Sequence, residues 1–193
     1  KTLRSRASKA SAALAPQGDT PTFRDVELSR YARHMILREI GGPGQKRLKD
    51  AKVLVVGAGG LGAPVCLYLA AAGVGTIGVI DDDAVENTNL QRQIIHGDQD
   101  IGHQKVFSAA EAMQAQNPHV TVKPYNRRLE VEIADDLIGE YDLVLDGSDN
   151  FETRYLVNAA CVAAGLPLIG AALSQREGQL SVFEPSRGAP CYT

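Results

Sequence analysis

The 193-residue chain has no tryptophan, only three cysteines and no apolar run near the roughly 18 residues that a membrane-crossing helix requires. A membrane span is therefore excluded within it. Cys66, Cys161 and Cys191 are too few and too scattered to staple a small domain with disulfides, which favours a reducing, cytoplasmic setting. Neither sign of charge dominates: 20 basic against 23 acidic residues leave a net charge of −3, and nothing in that balance points to nucleic acid as a partner. Internal repeats are absent. His34, His96, His103 and His119 show no pairing at metal-ligand spacing, so surface or capping roles are expected of them. Cys66 and Cys161 sit in apolar helical settings and are expected to be core thiols.

The length suits one domain of ordinary size. Residues 1–22, rich in Ser, Ala, Lys and Arg with Pro16 and Pro21 near their end, lack a periodic apolar face and are expected to form a flexible linker. The chain starts at Lys1 rather than at a methionine and stops at Cys191-Tyr192-Thr193. The expectation is a piece of a longer protein, with the folded domain over 23–193 truncated at its C-terminal side.

What the chain does contain is an apolar strand, Lys52 to Val56, running into Gly57-Ala58-Gly59-Gly60-Leu61-Gly62. Gly57 permits a tight turn, Gly59 a close approach of backbone to phosphate, and Gly62 close packing of the following helix on the strand. That helix, from about Leu61 to Ala72, would aim its N-terminal amides and positive dipole end at an anion. A second strand, Thr76 to Ile80, ends at Asp81, spaced to accept hydrogen bonds from ribose hydroxyls.

Further along, periodicity predicts an amphipathic helix over Asp25 to Glu39, closed by Gly41-Gly42-Pro43-Gly44. Helices are expected from His103 to Ala115, Val131 to Ile138 and Glu152 to Ala164, and strands at Val120 to Lys123, Leu143 to Asp146 and Pro167 to Gly170. Gly178 to Phe183 reads as an antiparallel addition. Asp82 to Gly102 is too polar and unpatterned for core, and loops of that length are commonly functional. The alternation predicts a Rossmann-like, doubly wound α/β fold with a mainly parallel sheet and antiparallel strands added at the C-terminal side.

In such sheets ligands bind outside the carboxyl ends of the strands. There this chain offers glycines (Gly57, Gly59, Gly60, Gly62), carboxylates (Asp81, Asp83, Asp149), and a loop, Thr88-Asn89-Leu90-Gln91-Arg92-Gln93, with amide donors and a guanidinium. Lys105 begins a helix, where a cation is disfavoured unless an anion lies beside it. A dinucleotide needs little beyond helix amides, whereas a triphosphate needs cations and usually magnesium, for which Asp149 and Asn150 offer hard oxygens. Arg92 alone also reads as a loop charge, Lys105 as a solvated helix face, and Asp149 or Asn150 as a helix cap.

Taken together, Arg30-Tyr31-Ala32-Arg33-His34, the Gly57 to Gly62 turn, Asp81-Asp82-Asp83, Asn89-Leu90-Gln91-Arg92-Gln93, Gly102-His103-Gln104-Lys105 and Asp146-Gly147-Ser148-Asp149-Asn150 resemble the MoeB/ThiF family of ubiquitin-activating-enzyme-like adenylyltransferases. The resemblance implies ATP- and magnesium-dependent adenylation of the C-terminal glycine of a ubiquitin-like sulfur-carrier protein ending in Gly-Gly, of the MoaD type used in molybdenum cofactor synthesis or of the thiamine-pathway type. It implies phosphate contacts from Gly60, Asn89, Arg92 and Lys105, ribose binding by Asp81, and magnesium at Asp149. It further implies a homodimer in which Arg33 reaches the neighbouring site, and a structural zinc for which Cys191 supplies a ligand. A carboxylate attacking phosphorus is already a nucleophile at pH 7, so alignment and cations suffice. An NAD-dependent dehydrogenase would explain the glycine turn and Asp81 but leave Arg92, Lys105 and Asp149 idle.

Overall fold

The computed structural model describes residues 22–192; all of the expected linker except Thr22 lies outside the described residues. The elements in chain order are α1 (Asp25–Met35), α2 (Gly41–Asp50), β1 (Lys52–Val56), α3 (Gly62–Ala72), β2 (Thr76–Asp81), α4 (Lys105–Gln116), β3 (Thr121–Asn126), α5 (Val131–Ile138), β4 (Leu143–Asp146), α6 (Phe151–Ala164), β5 (Leu168–Leu173) and β6 (Gly178–Phe183). Single 3-10 turns lie at Asn87–Asn89, Asp98–Asp100 and Pro185–Arg187. The sheet order is β3-β2-β1-β4-β5-β6. All neighbours pair in parallel except β6, which runs antiparallel to β5. The order reverses between β1 and β4, the topological switch point of a doubly wound sheet.

Alternation along β1 builds two cores. Val53 and Val55 face the layer of α3 and α4, with Cys66, Ala70, Val106 and Met113. Leu54 and Val56 face the layer of α5 and α6, with Ile138, Val157 and Cys161. Each fully buried aliphatic side chain contributes about 1.5–3 kcal/mol, so a strand buried on both faces anchors the sheet. The two thiols are core, as expected, and burial pushes both up to about 12.

Three expectations need correction. The first helix stops at Met35, and Gly41-Gly42-Pro43-Gly44 opens α2 instead of ending α1. Pro43 lies in the first turn, where its missing N–H has no intrahelical partner to lose. The loop from Asp82 to Gly102 is not outside the core: Val85, Asn89, Gln93, Ile95, His96 and Asp100 are all buried. Its single turns are held by local side chains, Asn89 Oδ1 accepting from Glu86 N at 3.1 Å and Asp100 Oδ2 from Gly97 N at 2.7 Å. These turns have neither a strand nor a helix period, which is why no pattern reveals them. His96, expected at the surface or as a cap, is among those buried residues.

α1 and α2 close the amino edge of the sheet. Asn117, just after α4, donates to Tyr31 Oη and to Ala70 O, both at 2.7 Å. Gln45 Nε2 donates to Ala72 O at 2.8 Å while accepting from His34 Nδ1 at 2.9 Å. Glu27, 3 % exposed, accepts from Lys49 Nζ at 2.7 Å and from the Arg24 backbone N–H at 3.0 Å. Burial pushes its carboxyl up, but the hydrogen bonds from Lys49 and Arg24 outweigh that and bring it down from 4.5 to about 2. A folded-state value below the unfolded one contributes stability that is complete above pH 4.5 and lost as pH falls through about 2. Glu27→Gln is expected to lower stability by about 1–3 kcal/mol at pH 7, with the gap to wild type in urea midpoint closing between pH 4.5 and 2. A gap independent of pH would contradict this account.

Candidate nucleotide site

At the carboxyl ends of β1, β2 and β4 lies a cleft of about 590 Å³. Its floor is made by the close approach of two loops. Gly57 sits at φ +91°, and a Cβ there would lie 3.3 Å from Gly147 O; a Cβ on Gly62 would lie 1.8 Å from Gly57 O. Gly57 N donates to Ile80 O at 2.9 Å and Gly147 N to Val56 O at 3.0 Å, tying the turn to both neighbouring strands. Among the described residues, the N–H groups of Gly59 and Gly60 have no backbone acceptor. They border the cleft beside the N-terminus of α3.

Of the expected site residues, Gly57, Gly59, Gly60, Asp81, Asp83, Arg92, Gln93, Lys105, Asp149 and Asn150 line the cleft. Gly62, Thr88, Asn89, Leu90 and Gln91 do not. Gly62 instead permits the crossing of helix and turn. The other four form the turn that carries the guanidinium: Arg92 Nη1 donates to Thr88 O at 3.1 Å, and the N–H groups of Arg92 and Gln93 to Asn89 O. Arg33 is exposed on α1 and does not line the cleft; α1 packs by Tyr31 against Gly73 and Asn117, at the C-terminal ends of α3 and α4.

The acidic groups differ sharply in what they already hold. Asp81 accepts from Ala58 N and Asp83 N, both at 2.8 Å. Burial pushes its carboxyl up, against the pull of those amides and of Lys105. Lys105, 4 % exposed, is paired with Asp83 Oδ2 at 2.6 Å. The anion expected beside this helix-start lysine is thus an internal one. Asp146 is buried and accepts from Ser148 N at 2.9 Å, and burial raises its carboxyl. Asn150 caps α6, its Oδ1 accepting from Thr153 N at 2.8 Å. Asp149 is exposed to the cleft and has no ion pair or hydrogen bond among the described residues. Asp82, also in the lining, is likewise exposed and without such a partner, so the cleft offers two open carboxylates where a hard cation fits.

Two polar atoms in the lining are buried without a partner, Gln93 Oε1 and Ser148 Oγ. Such orphans cost about 1–3 kcal/mol each unless a ligand or water satisfies them. With the free amides of the glycine turn, the Ser148 hydroxyl can donate to a phosphate oxygen, whereas Gln93 Oε1 can only accept and calls for a hydroxyl or amino group on the ligand. Cys191 lies away from the cleft lining, and one thiolate cannot by itself hold a zinc ion, which takes four ligands at structural sites.

Three arginines escaped notice in the sequence. Arg127 and Arg128 line the cleft just past β3, and Arg154 of α6 donates through Nη2 to Ser148 O at 2.6 Å and Ala171 O at 3.3 Å. The signal for the first two was their place after a strand, hidden because Pro124 lies inside that strand. Arg154 on a helix carries no signal of its own.

Fold and cleft together define a nucleotide-binding α/β domain with cations and an open carboxylate around its glycine turn. Residues 31–193 match the model of the ThiF family, and the chain belongs to that family. It is 56 % identical over 157 residues to a probable adenylyltransferase/sulfurtransferase, MoeZ, of Mycobacterium tuberculosis, covering 81 % of this chain and 40 % of that protein. It is 51 % identical over 170 residues to a sulfur carrier protein adenylyltransferase of Thermus thermophilus, covering 86 % and 63 %. Its fold matches that of an E. coli tRNA N6-threonylcarbamoyladenosine dehydratase, TcdA, in complex with ATP, with a TM-score of 0.72, 28 % identity and coverage of 76 % and 60 %. The chain thus spans 40 to 63 % of the length of these curated relatives. Among the described residues no helix is long and apolar enough to cross a membrane.

Because a methyl group at position 62 would overlap a carbonyl oxygen of the turn, Gly62→Ala is expected to cost more than about 2 kcal/mol. A thermal midpoint within about 1 °C of wild type would refute the close crossing.

Proposed function

We propose that this chain holds the ATP site of an adenylyltransferase acting on a ubiquitin-like sulfur-carrier protein. The carrier's C-terminal glycine carboxylate attacks the α-phosphorus of ATP; the carboxylate oxygen–phosphorus bond forms, the bond to the bridging oxygen breaks, and pyrophosphate leaves. The observation that carries this reading is the convergence of Arg92, Lys105 and the open carboxylate of Asp149 on the rim of one glycine turn. A dehydrogenase has no work for those three groups, and the two sequence relatives from M. tuberculosis and T. thermophilus carry adenylyltransferase names.

The nucleophile needs no base, so the protein's contribution is alignment and charge. The N–H groups of Gly59 and Gly60 and the dipole end of α3 receive phosphate oxygens, and Asp81 receives the ribose. Arg92, steadied by the turn from Thr88 to Gln91, and Lys105 neutralise the leaving pyrophosphate. Lys105 gives up Asp83 for phosphate on binding. When bound, magnesium on Asp149 supplies further charge neutralisation on the phosphates. Arg33 does not line its own cleft and is assigned to the site of a second copy in a homodimer. Cys191 is assigned to a structural zinc completed by ligands outside residues 1–193. The carrier is assigned to the MoaD type of molybdenum cofactor synthesis in the cytoplasm, on the strength of the motif resemblance.

ATP–pyrophosphate exchange by the full-length protein tests this, with magnesium and candidate carriers ending in Gly-Gly. Exchange is expected with a MoaD-type carrier and a drop of about 100-fold or more in Asp149→Ala and Arg92→Ala. Exchange only with a thiamine-pathway carrier would move the pathway and keep the chemistry. No exchange with any carrier, alongside tighter binding of NAD than of ATP, would overturn the proposal.

A further inference from the structure

His96 has no place in the chemistry above, yet it lies 6 % exposed directly beneath the glycine turn. Its Nε2 is 3.3 Å from Ala58 O and its Nδ1 is 2.9 Å from Ser108 Oγ of α4. A carbonyl oxygen can only accept, so Nε2 carries the hydrogen and Nδ1 accepts from the serine hydroxyl. Burial disfavours the charged ring and pushes its pKa down, although the bond to the Ala58 carbonyl and the nearby carboxylates of Asp100 and Asp81 oppose this and Lys105 reinforces it. The neutral form meets both partners with one donor and one acceptor.

Ala58 is gripped from both sides, since its own N–H donates to Asp81 Oδ2 at 2.8 Å. The consequence reaches the next residue. The described residues contain no cis peptide bond, and in a trans peptide the carbonyl and the following N–H point in opposite directions. Drawing the Ala58 carbonyl inward to His96 therefore turns the Gly59 N–H outward. That N–H borders the cleft and has no backbone acceptor among the described residues. Without such a hold the peptide would turn over at little cost, because Gly59 has no Cβ to oppose the rotation.

We propose that His96 is a positioning residue for phosphate binding: by holding the Ala58 carbonyl beneath the turn, it presents the Gly59 N–H to the nucleotide's phosphates. The proposal rests on the cleft being the ATP site. Ser108 is the supporting member of the pair, fixing the tautomer in which Nε2 is the donor.

Two measurements on the full-length protein test it. The first is the dissociation constants of ATP and of adenosine, which lacks phosphates, for wild type, His96→Phe and His96→Gln. His96→Phe keeps an apolar ring of similar size but loses the donor, and is expected to weaken ATP about tenfold or more, the worth of a hydrogen bond to a charged group, while adenosine changes less than about twofold. His96→Gln keeps a donor amide at the Nε2 position and is expected to stay within about threefold of wild type for ATP. A loss shared equally by ATP and adenosine would mark a merely structural role and overturn the proposal, as would no loss at all. Wild-type protein that binds no ATP would instead fail the nucleotide reading and take this proposal with it. The second is the tautomer of His96 by nitrogen NMR of the wild type, which decides the matter if the phenylalanine variant does not fold. Hydrogen on Nε2 is the result expected, and hydrogen on Nδ1 with a bare Nε2 overturns the assignment.

Discussion

The whole arrangement depends on how closely the turn after β1 can approach its surroundings. Gly57 backs onto the Gly147 carbonyl and Gly62 onto that of Gly57, with no room at the latter for even a methyl group. That closeness brings the loops after β1 and β4 together at the switch point, and the cleft opens directly above. The Gly57 N–H is bonded inward to Ile80 O, while those of Gly59 and Gly60 have no backbone acceptor among the described residues. A side chain at Gly62 would drive the helix off its own turn, and one at Gly57 would press on the loop after β4.

Charge is distributed with similar economy. Five carboxylates lie at or near the cleft: Asp81 holds backbone amides, Asp83 holds Lys105, Asp146 holds its own loop, and Asp82 and Asp149 are open. Arg154 joins the Ser148 carbonyl to Ala171 of β5, so the loop that presents Asp149 is braced from the sheet rather than left to wander.

Much of this was legible in the residues. The strands and helices from Lys52 onward carry clear periods of two or of 3.6 residues, and their order alone implies a doubly wound sheet. Three features stayed hidden for identifiable reasons. The helix starting at Gly41 was masked by a glycine-proline cluster that commonly ends helices but can also begin one. The buried part of the Asp82 to Gly102 loop is built from single turns whose polar side chains satisfy the local backbone, so hydrophobic patterning is blind to it. The clear alternation of β3 stops at Lys123, before Pro124; an edge strand tolerates proline where its N–H side is unpaired, and the end at Asn126 sets Arg127 and Arg128 beside the cleft. Site residues were legible where a motif fixes the backbone. They were illegible where a side chain such as His96 or Arg154 acts through contacts far away in sequence.

The Lys105–Asp83 pair means that the ammonium in the cleft is never simply waiting for a ligand. A carboxylate tethered 2.6 Å away is already present at an effective concentration of millimolar or more. A lone monovalent anion must displace it for no net gain in charge pairing, whereas a polyphosphate brings several charges to the same exchange. The pair is in effect a resident competitor for Lys105, one that favours a multiply charged ligand over a single ion at that ammonium.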